Sequence, residues 1–331
     1  MPGDTTTDDH GTALITGGGG FIGRRLAERL AAEGWTVRGL DLSDAAGAHY
    51  DDLGSELLVG DLLAGDALAQ AVDGTDLVLH TAARMGIDDD WDGYRALNVT
   101  GADRAAAAAK AAGATRFVLF SSVMVYGFDF PDGVDEDGPL DGAGNPYCQT
   151  KIESEQAVLA LHQPGVFDVF VIRPGDVYGP GCDPWVKVPV DLMKGGLWAW
   201  ITEDPDRPTV HNHVYVDNLV DGVLAILASG RSGEAFNVTD GARTSARTFF
   251  GHFERLLGLE LPELSVDDAL AVGSPEVWVK YLTRHATYSI DKVGALGYEP
   301  AIGLDEGMAI TAAWLREEGL VPEVAPQVAP G

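Results

Sequence analysis

Positive charge is what this chain has least of: its 331 residues hold 22 Lys+Arg against 51 Asp+Glu, a formal charge of −29. Nucleic acids and anionic membrane faces are bound through Lys/Arg neutralisation, so neither is expected as a partner. Cysteine is nearly absent. Cys148 and Cys182 are the only two, too few for a disulfide framework or a four-thiolate metal site, and a cytoplasmic setting suits them. Long apolar runs are missing as well: Thr12–Thr16 is far too short to span a bilayer, and the residues before it are acidic. Neither a membrane span nor a targeting leader is expected.

What is present is a globular composition, 46% hydrophobic and 22% charged, at a length that suits two domains or one large one. Residues 1–10 are polar and acidic, and residues 321–331 alternate Pro with small side chains, which predicts flexible tails. Between them, Ala13–Thr16 gives way to glycines and then to Phe21, Ile22, Leu26 and Leu30 at helical spacing. Strand, turn and helix follow in that order. The alternation continues with strands over 36–40, 57–59, 76–80, 116–121 and 169–173. Helices are predicted around 66–72, 92–112 and 146–162. Strands separated by helices imply parallel pairing with right-handed crossovers. After Pro174 the rhythm breaks into a Pro, Gly and Trp-rich stretch, and an apolar strand-then-helix pattern resumes over 214–228.

Gly17, Gly20 and Gly23 form G-x-x-G-x-x-G after the first strand and open the first helix. Glycine suits a tight turn, close approach to a pyrophosphate and close helix–strand packing, and the helix N-terminus offers free N–H groups to an anion. A flexible turn is the plainer alternative. Asp41, at the end of the second strand, can accept hydrogen bonds from a ribose 2′-hydroxyl and would repel a 2′-phosphate. NAD is therefore favoured over NADP. Asp61, after the third strand, faces the adenine edge or serves as a helix N-cap.

Tyr147 and Lys151 stand four residues apart on one face of a predicted helix. A phenol needs a nearby cation before it can act as a base near neutral pH. Ser121 and Ser122 bring hydroxyls to the carboxyl end of a strand, the edge where open α/β sheets bind ligands.

These elements, with His80-Thr81-Ala82-Ala83, Asn98-Val99-Thr100-Gly101 and Arg173-Pro174-Gly175-Asp176-Val177-Tyr178-Gly179, resemble the extended short-chain dehydrogenase/reductases. That is the NAD-dependent epimerase/dehydratase superfamily, here most similar to its 3β-hydroxysteroid dehydrogenase-like branch. The resemblance implies a Rossmann-type doubly wound parallel α/β sheet over residues 11–174 and 213–239, with a smaller interleaved C-terminal substrate lobe over 175–212 and 240–320. It implies hydride transfer between NAD and a carbon bearing oxygen. Ser122, Tyr147 and Lys151 take the catalytic positions, Tyr147 as general acid/base. Gly17, Gly20, Phe21, Ile22, Gly23, Asp41, Asp61, Leu62, Ala82, Ala83, Asn98, Ser121, Pro174, Gly175 and Val177 take cofactor positions, joined by Tyr147 and Lys151. Asn98 matches a structural or proton-relay Asn.

Departures from the family's patterns narrow the reaction. The 4,6-dehydratases continue the active-site strand with Thr-Asp-Glu; here Val123 and Met124 follow Ser122 and have no proton to give, which argues against dehydration. Nucleotide-sugar epimerases usually carry an Arg that grips the sugar diphosphate, where this chain has His211 in His211-Asn212-His213. The two histidines are expected to be satisfied structural residues rather than a metal pair. Met85, Val123, Met124, Asp176, Trp185, Val188 and Trp198 are candidate substrate contacts, although the aromatics suit a lobe core or a subunit interface equally well. The expected protein is an NAD-dependent oxidoreductase of a rather apolar secondary alcohol or ketone, without a metal. The resemblance further implies a small-molecule substrate and a homodimer formed through two helices per subunit, here the Ala-rich helix before Ala112 and the Tyr147 helix. The alternatives are a nucleotide-sugar 4-epimerase and a non-catalytic NAD-sensing or scaffold protein.

Overall fold

The computed structural model describes residues 10–323 except 87, 143 and 203–206. Most of both expected tails, 1–9 and 324–331, lies outside the described residues. The two expected tails are too long by a residue or more: the His10 ring stacks on Trp35 at 5.6 Å and Val321 is buried.

The strands are β1 Thr12–Thr16, β2 Thr36–Asp41, β3 Glu56–Val59, β4 Leu77–His80, β5 Arg116–Phe120, β6 Asp168–Pro174, β7 Asp176–Tyr178, β8 Trp200–Ile201, β9 His213–Tyr215, β10 Glu234–Val238 and β11 Glu263–Leu264. The helices are α1 Phe21–Ala32, α2 Gly47–Asp52, α3 Gly65–Val72, α4 Trp91–Tyr94, α5 Ala102–Ala112, α6 Pro146–Leu159, α7 Val188–Lys194, α8 Val216–Ser229, α9 Ala246–Leu257, α10 Val266–Ala271, α11 Glu276–Leu282, α12 Asp291–Gly294 and α13 Leu304–Glu317. Seven strands form one sheet in the order β10-β6-β5-β4-β1-β2-β3. Parallel pairing runs from β3 through β6, with Thr16 opposite both Leu40 and His80. The order reverses at β1 and β4, so the crevice for a ligand opens where Gly17 and Thr81 leave those strands.

The chain divides into two compact units. One comprises the described residues through Val125 with Leu140–Arg173 and Val223–Phe236; the other comprises Tyr126–Pro139, Pro174–Gly222 and the described residues from Asn237 onward. This division gives 126–139, 174, 213–222 and 237–239 to the second unit, where the sequence had suggested the first.

In the first unit Leu14, Val78, Phe117, Leu119, Val169 and Val171 fill the sheet face under α3, α5 and α6. Ala102, Ala105, Ala106 and Ala109 form the buried face of α5; side chains this small let a helix lie close to the sheet. The expected single helix over 92–112 is α4, a π-helical turn at Arg95–Gly101 and α5 in succession. The second unit is packed with aromatics: Trp185, Trp198, Phe249, Phe250, Trp278 and Tyr281 pack ring against ring at 4.8–6.0 Å. No described helix is long and apolar enough to cross a membrane.

Candidate active site

The cradle forms where β1 runs into α1. Gly17 has φ +71°, a left-handed conformation, and a Cβ there would stand 2.8 Å from the Ala82 nitrogen. A Cβ on Gly23 would collide with the Gly17 carbonyl oxygen. No side chain caps the N-terminus of α1 and its first turn holds no acidic residue, so the free N–H groups are offered to an anion. Tyr50, on α2, closes the cradle from beneath through a hydrogen bond from its hydroxyl to the Gly18 carbonyl, 3.2 Å. Glycine at 17 and 23 therefore lets the loop pack closely on Ala82 and on its own backbone, and the N-terminus of α1 stays open above it.

Asp41 ends β2 beside this loop. Its Oδ2 accepts from the Gly19 N–H at 2.9 Å and its Oδ1 from the Ser43 N–H at 3.2 Å. Both oxygens keep lone pairs for a ribose diol. Asp61 is exposed and accepts from the Leu63 N–H at 2.8 Å within a turn, but the cap of α3 is Ala64, so Asp61 is not a helix N-cap; Leu62 is buried in the core. Phe21, Ile22, Ala82 and Ala83 are half-buried around the loop.

Helix α6 starts at Asn145, whose side chain accepts from the N–H groups of Tyr147 and Cys148, with Pro146 in the first turn. That start fixes Tyr147 half-exposed and turns Lys151 inward, one helical turn later. Lys151 is buried, its Nζ donates to the Phe120 carbonyl at 2.7 Å, and it stands 5.8 Å from the Tyr147 ring. Burial pushes the ammonium down to about 8, and the Glu155 carboxylate opposes the shift. Two residues after Phe120, the Ser122 hydroxyl accepts from the Met124 N–H at 3.1 Å, which leaves its own O–H free to donate. Cys148, beside Tyr147, is a buried filler whose thiol burial pushes up to about 12.

Asn98 lies in the π-helical turn. Its Oδ1 accepts from the Arg84 N–H at 2.7 Å, and its amide donates to the Arg84 carbonyl and to Thr150 Oγ1 at 3.1 Å. Asn98 thus ties α6, one residue before Lys151, to the segment after β4. His80, at the end of β4, shares a 2.7 Å hydrogen bond with Thr16 Oγ1; burial and the Lys151 charge push it down to about 3, so it is neutral.

The sequence missed two residues here. Glu155 lies four residues after Lys151, and Arg173 grips it through Nε at 2.9 Å and Nη2 at 2.7 Å. Ser121, given a cofactor position above, donates its hydroxyl to Glu155 at 2.5 Å instead. Repetition of the four-residue spacing, Tyr147, Lys151, Glu155, was the available signal.

The other candidates divide by burial. Met85 and Val188 are exposed, whereas Val123 and Met124 are buried. In the second unit, Gly175 donates its N–H to the Val238 carbonyl at 3.0 Å, and a Cβ there would strike the Asn212 carbonyl. Pro174 and Val177 flank it in β6 and β7. The Asp176 carboxylate is bound by the Arg284 guanidinium, both fully buried. Trp185 packs on His211, Trp278 and Tyr281. Trp198 is buried beside a cavity of about 10 Å³, room for one water, so it is lobe core rather than the wall of a steroid-sized pocket.

The histidines also depart from expectation. His213 Nδ1 lies 3.3 Å from the His211 carbonyl, but among the described residues neither ring nitrogen of His211 has a hydrogen-bond partner. Its Nδ1 is 3.3 Å from Asp176 without the geometry of a bond, and Phe249 and Phe250 pack its ring at 4.1 and 4.7 Å. Burial, with the Arg284 charge, holds His211 well below its usual range, so it is uncharged. Among the described residues no group of three His, Cys, Asp or Glu is placed to hold a metal ion.

The sequence profile of the NAD dependent epimerase/dehydratase family matches residues 13–239. The chain belongs to that family. The chain is thus an oxidoreductase-family enzyme of the extended short-chain dehydrogenase/reductase type. It is 30% identical over 326 residues to the UDP-glucose 4-epimerase of Mycolicibacterium smegmatis, covering 92% of this chain and 98% of that one. To the 3 beta-hydroxysteroid dehydrogenase/Delta 5→4-isomerase of Mycobacterium tuberculosis it is 32% identical over 249 residues, 71% of this chain and 66% of that one. Among solved structures, MoeE5 in complex with UDP-glucuronic acid and NAD superposes with a TM-score of 0.75 at 26% identity, covering 93% of this chain and all of the other.

Proposed function

We propose that this family member binds NAD and interconverts a secondary alcohol and its ketone on a rather apolar, hydroxysteroid-like substrate. NAD, when bound, supplies the hydride acceptor or donor. The cradle at Gly17, Gly20 and Gly23 would hold its diphosphate and Asp41 its adenosine ribose. The Ser122 O–H would hold the substrate oxygen. Tyr147 would take the alcohol proton in oxidation and return it to the ketone oxygen in reduction. Lys151 supports the phenolate, because its ammonium is held within 5.8 Å of the ring by the Phe120 carbonyl. Homodimerisation through α5 and α6 belongs to the same reading.

The observation that carries the substrate class is His211. Where a sugar-diphosphate enzyme needs a cation, this chain has an uncharged ring closed in by Phe249 and Phe250. The fully buried cation described in that unit, Arg284, is already on Asp176. A UDP-sugar 4-epimerase remains the second reading, favoured by the near full-length similarity to one. Incubation with NAD and a panel of hydroxysteroids and other apolar secondary alcohols should yield NADH absorbance. Isomerisation of UDP- or GDP-sugars without net NADH, and inert alcohols, would reverse the order of the two readings.

A further inference from the structure

Three consecutive residues leaving β5 each hold a different part of the machinery. The Phe120 carbonyl accepts from Lys151, the Ser121 hydroxyl donates to Glu155, and Ser122 is the candidate for the substrate oxygen. Lys151 and Glu155 sit one turn apart on α6, so carboxylate and ammonium face the same strand end. Glu155 is 3% exposed and Arg173 4%. Two bonds from Arg173 and one from Ser121 fix this carboxylate in place, buried from solvent.

We propose that Glu155, clamped by Arg173 and Ser121, is the positioning carboxylate that keeps Lys151 cationic beside Tyr147, and so sets the upper pH limit of the acid/base step. The proposal rests on the oxidoreductase reading above. Charge on Lys151 is contested from several elements. Tyr147 and Glu155 face it from α6, the Phe120 carbonyl from the end of β5 with Ser121 just after it, uncharged His80 from β4, and Arg173 from β6 behind the carboxylate. Burial works against the ammonium, and the opposing charge that bears on it is Glu155, not Arg173. Summed over Lys151, Glu155 and Arg173, the buried charge is +1; without Glu155 it becomes +2 in a dry site. The lysine then sheds its proton at lower pH. Glu155 itself touches neither substrate nor cofactor in this account and acts only through Lys151.

The test is a direct titration of Lys151 in the full chain, by carbon-13 NMR of lysine labelled at Cε, with the Lys151 signal assigned by Lys151→Met. In Glu155→Gln the midpoint falls by about one pH unit or more, and the alkaline limb of the kcat profile falls with it at unchanged KM for NAD. Glu155→Asp, which keeps the charge, stays near the parent. Because Glu155→Gln strands Arg173 without a partner, Glu155→Gln with Arg173→Met is measured too. Replacing a buried pair by uncharged groups is often tolerated, and there the midpoint still falls, by less. An unmoved midpoint in the Gln variants, with melting temperature and NAD quenching intact, overturns the proposal. A midpoint that moves in an enzyme inert towards every alcohol and ketone tested leaves Lys151 under the control of Glu155 but overturns the oxidoreductase reading.

Discussion

Replacing Lys151 by Met removes a charge while keeping most of the side-chain volume, and its effect can be worked from one distance. A unit charge 5.8 Å from the Tyr147 ring, at an effective dielectric of about 20, favours the phenolate over the phenol by about 3 kcal/mol. At about 1.4 kcal/mol per pH unit this amounts to roughly two units. Lys151→Met should therefore lower kcat/KM for alcohol oxidation about a hundredfold at neutral pH. The acidic limb of the profile should move up by about two units, and the deficit should shrink as the pH rises. The assay is NADH formation across a pH series with saturating NAD, and fluorescence quenching measures NAD affinity separately. A deficit of the same size at every pH would refute the electrostatic role, because it would mean that Lys151 acts through packing or cofactor contact alone. No deficit at all would remove it from the mechanism.

Gly23→Ala should abolish tight NAD quenching and lower the melting temperature, since the new methyl strikes the Gly17 carbonyl oxygen; an overpacking cost of about 1–3 kcal/mol is typical, and an unchanged quenching curve would contradict the cradle. Acid should destabilise the fold through its buried histidines. His80 is held down to about 3 and His213 to about 4, from 6.5, so below pH 6.5 the unfolded chain binds more protons. Stability is then lost as pH falls, with a slope of about 1.4 kcal/mol per pH unit for each until its folded value is passed. Asp240, raised to about 7 by burial, works the other way, and Asp240→Asn should steepen the acid-side loss in urea titrations at pH 4–7. His211→Phe should keep turnover of an apolar substrate within about tenfold of the parent, because the ring is uncharged and unbonded already; a complete loss would give His211 a direct role.

The first unit was legible because its signals are local. Glycine at three-residue intervals after a β-branched run can hardly be anything but a turn into a helix, and β1 to β6 each show as a short apolar run between helical stretches. The Tyr147 and Lys151 pair needs only one helix to be placed. What was illegible depends on partners distant in sequence. Short α2 shows no apolar period, yet it carries Tyr50 under the cradle. Glu155 looks like any surface carboxylate of a helix until Arg173, from β6, and Ser121, just after β5, are seen to hold it. Trp198 could be read as pocket wall or as core, and only its neighbours Trp200, Phe250 and Trp278 decide for core. The π-helical turn at Arg95–Gly101 leaves no compositional trace, although it is the segment that aims Asn98 at Thr150.

The central claim is that Tyr147 moves the substrate proton in an NAD-dependent alcohol and ketone interconversion. Its most direct test is Tyr147→Phe beside the parent enzyme, with NADH formation from apolar secondary alcohols and NAD affinity by quenching measured on both. The account predicts NADH formation by the parent, loss of turnover by a factor of about a thousand or more in the variant, and the same NAD affinity in each. A variant that turns over alcohol at the parent's rate would contradict it.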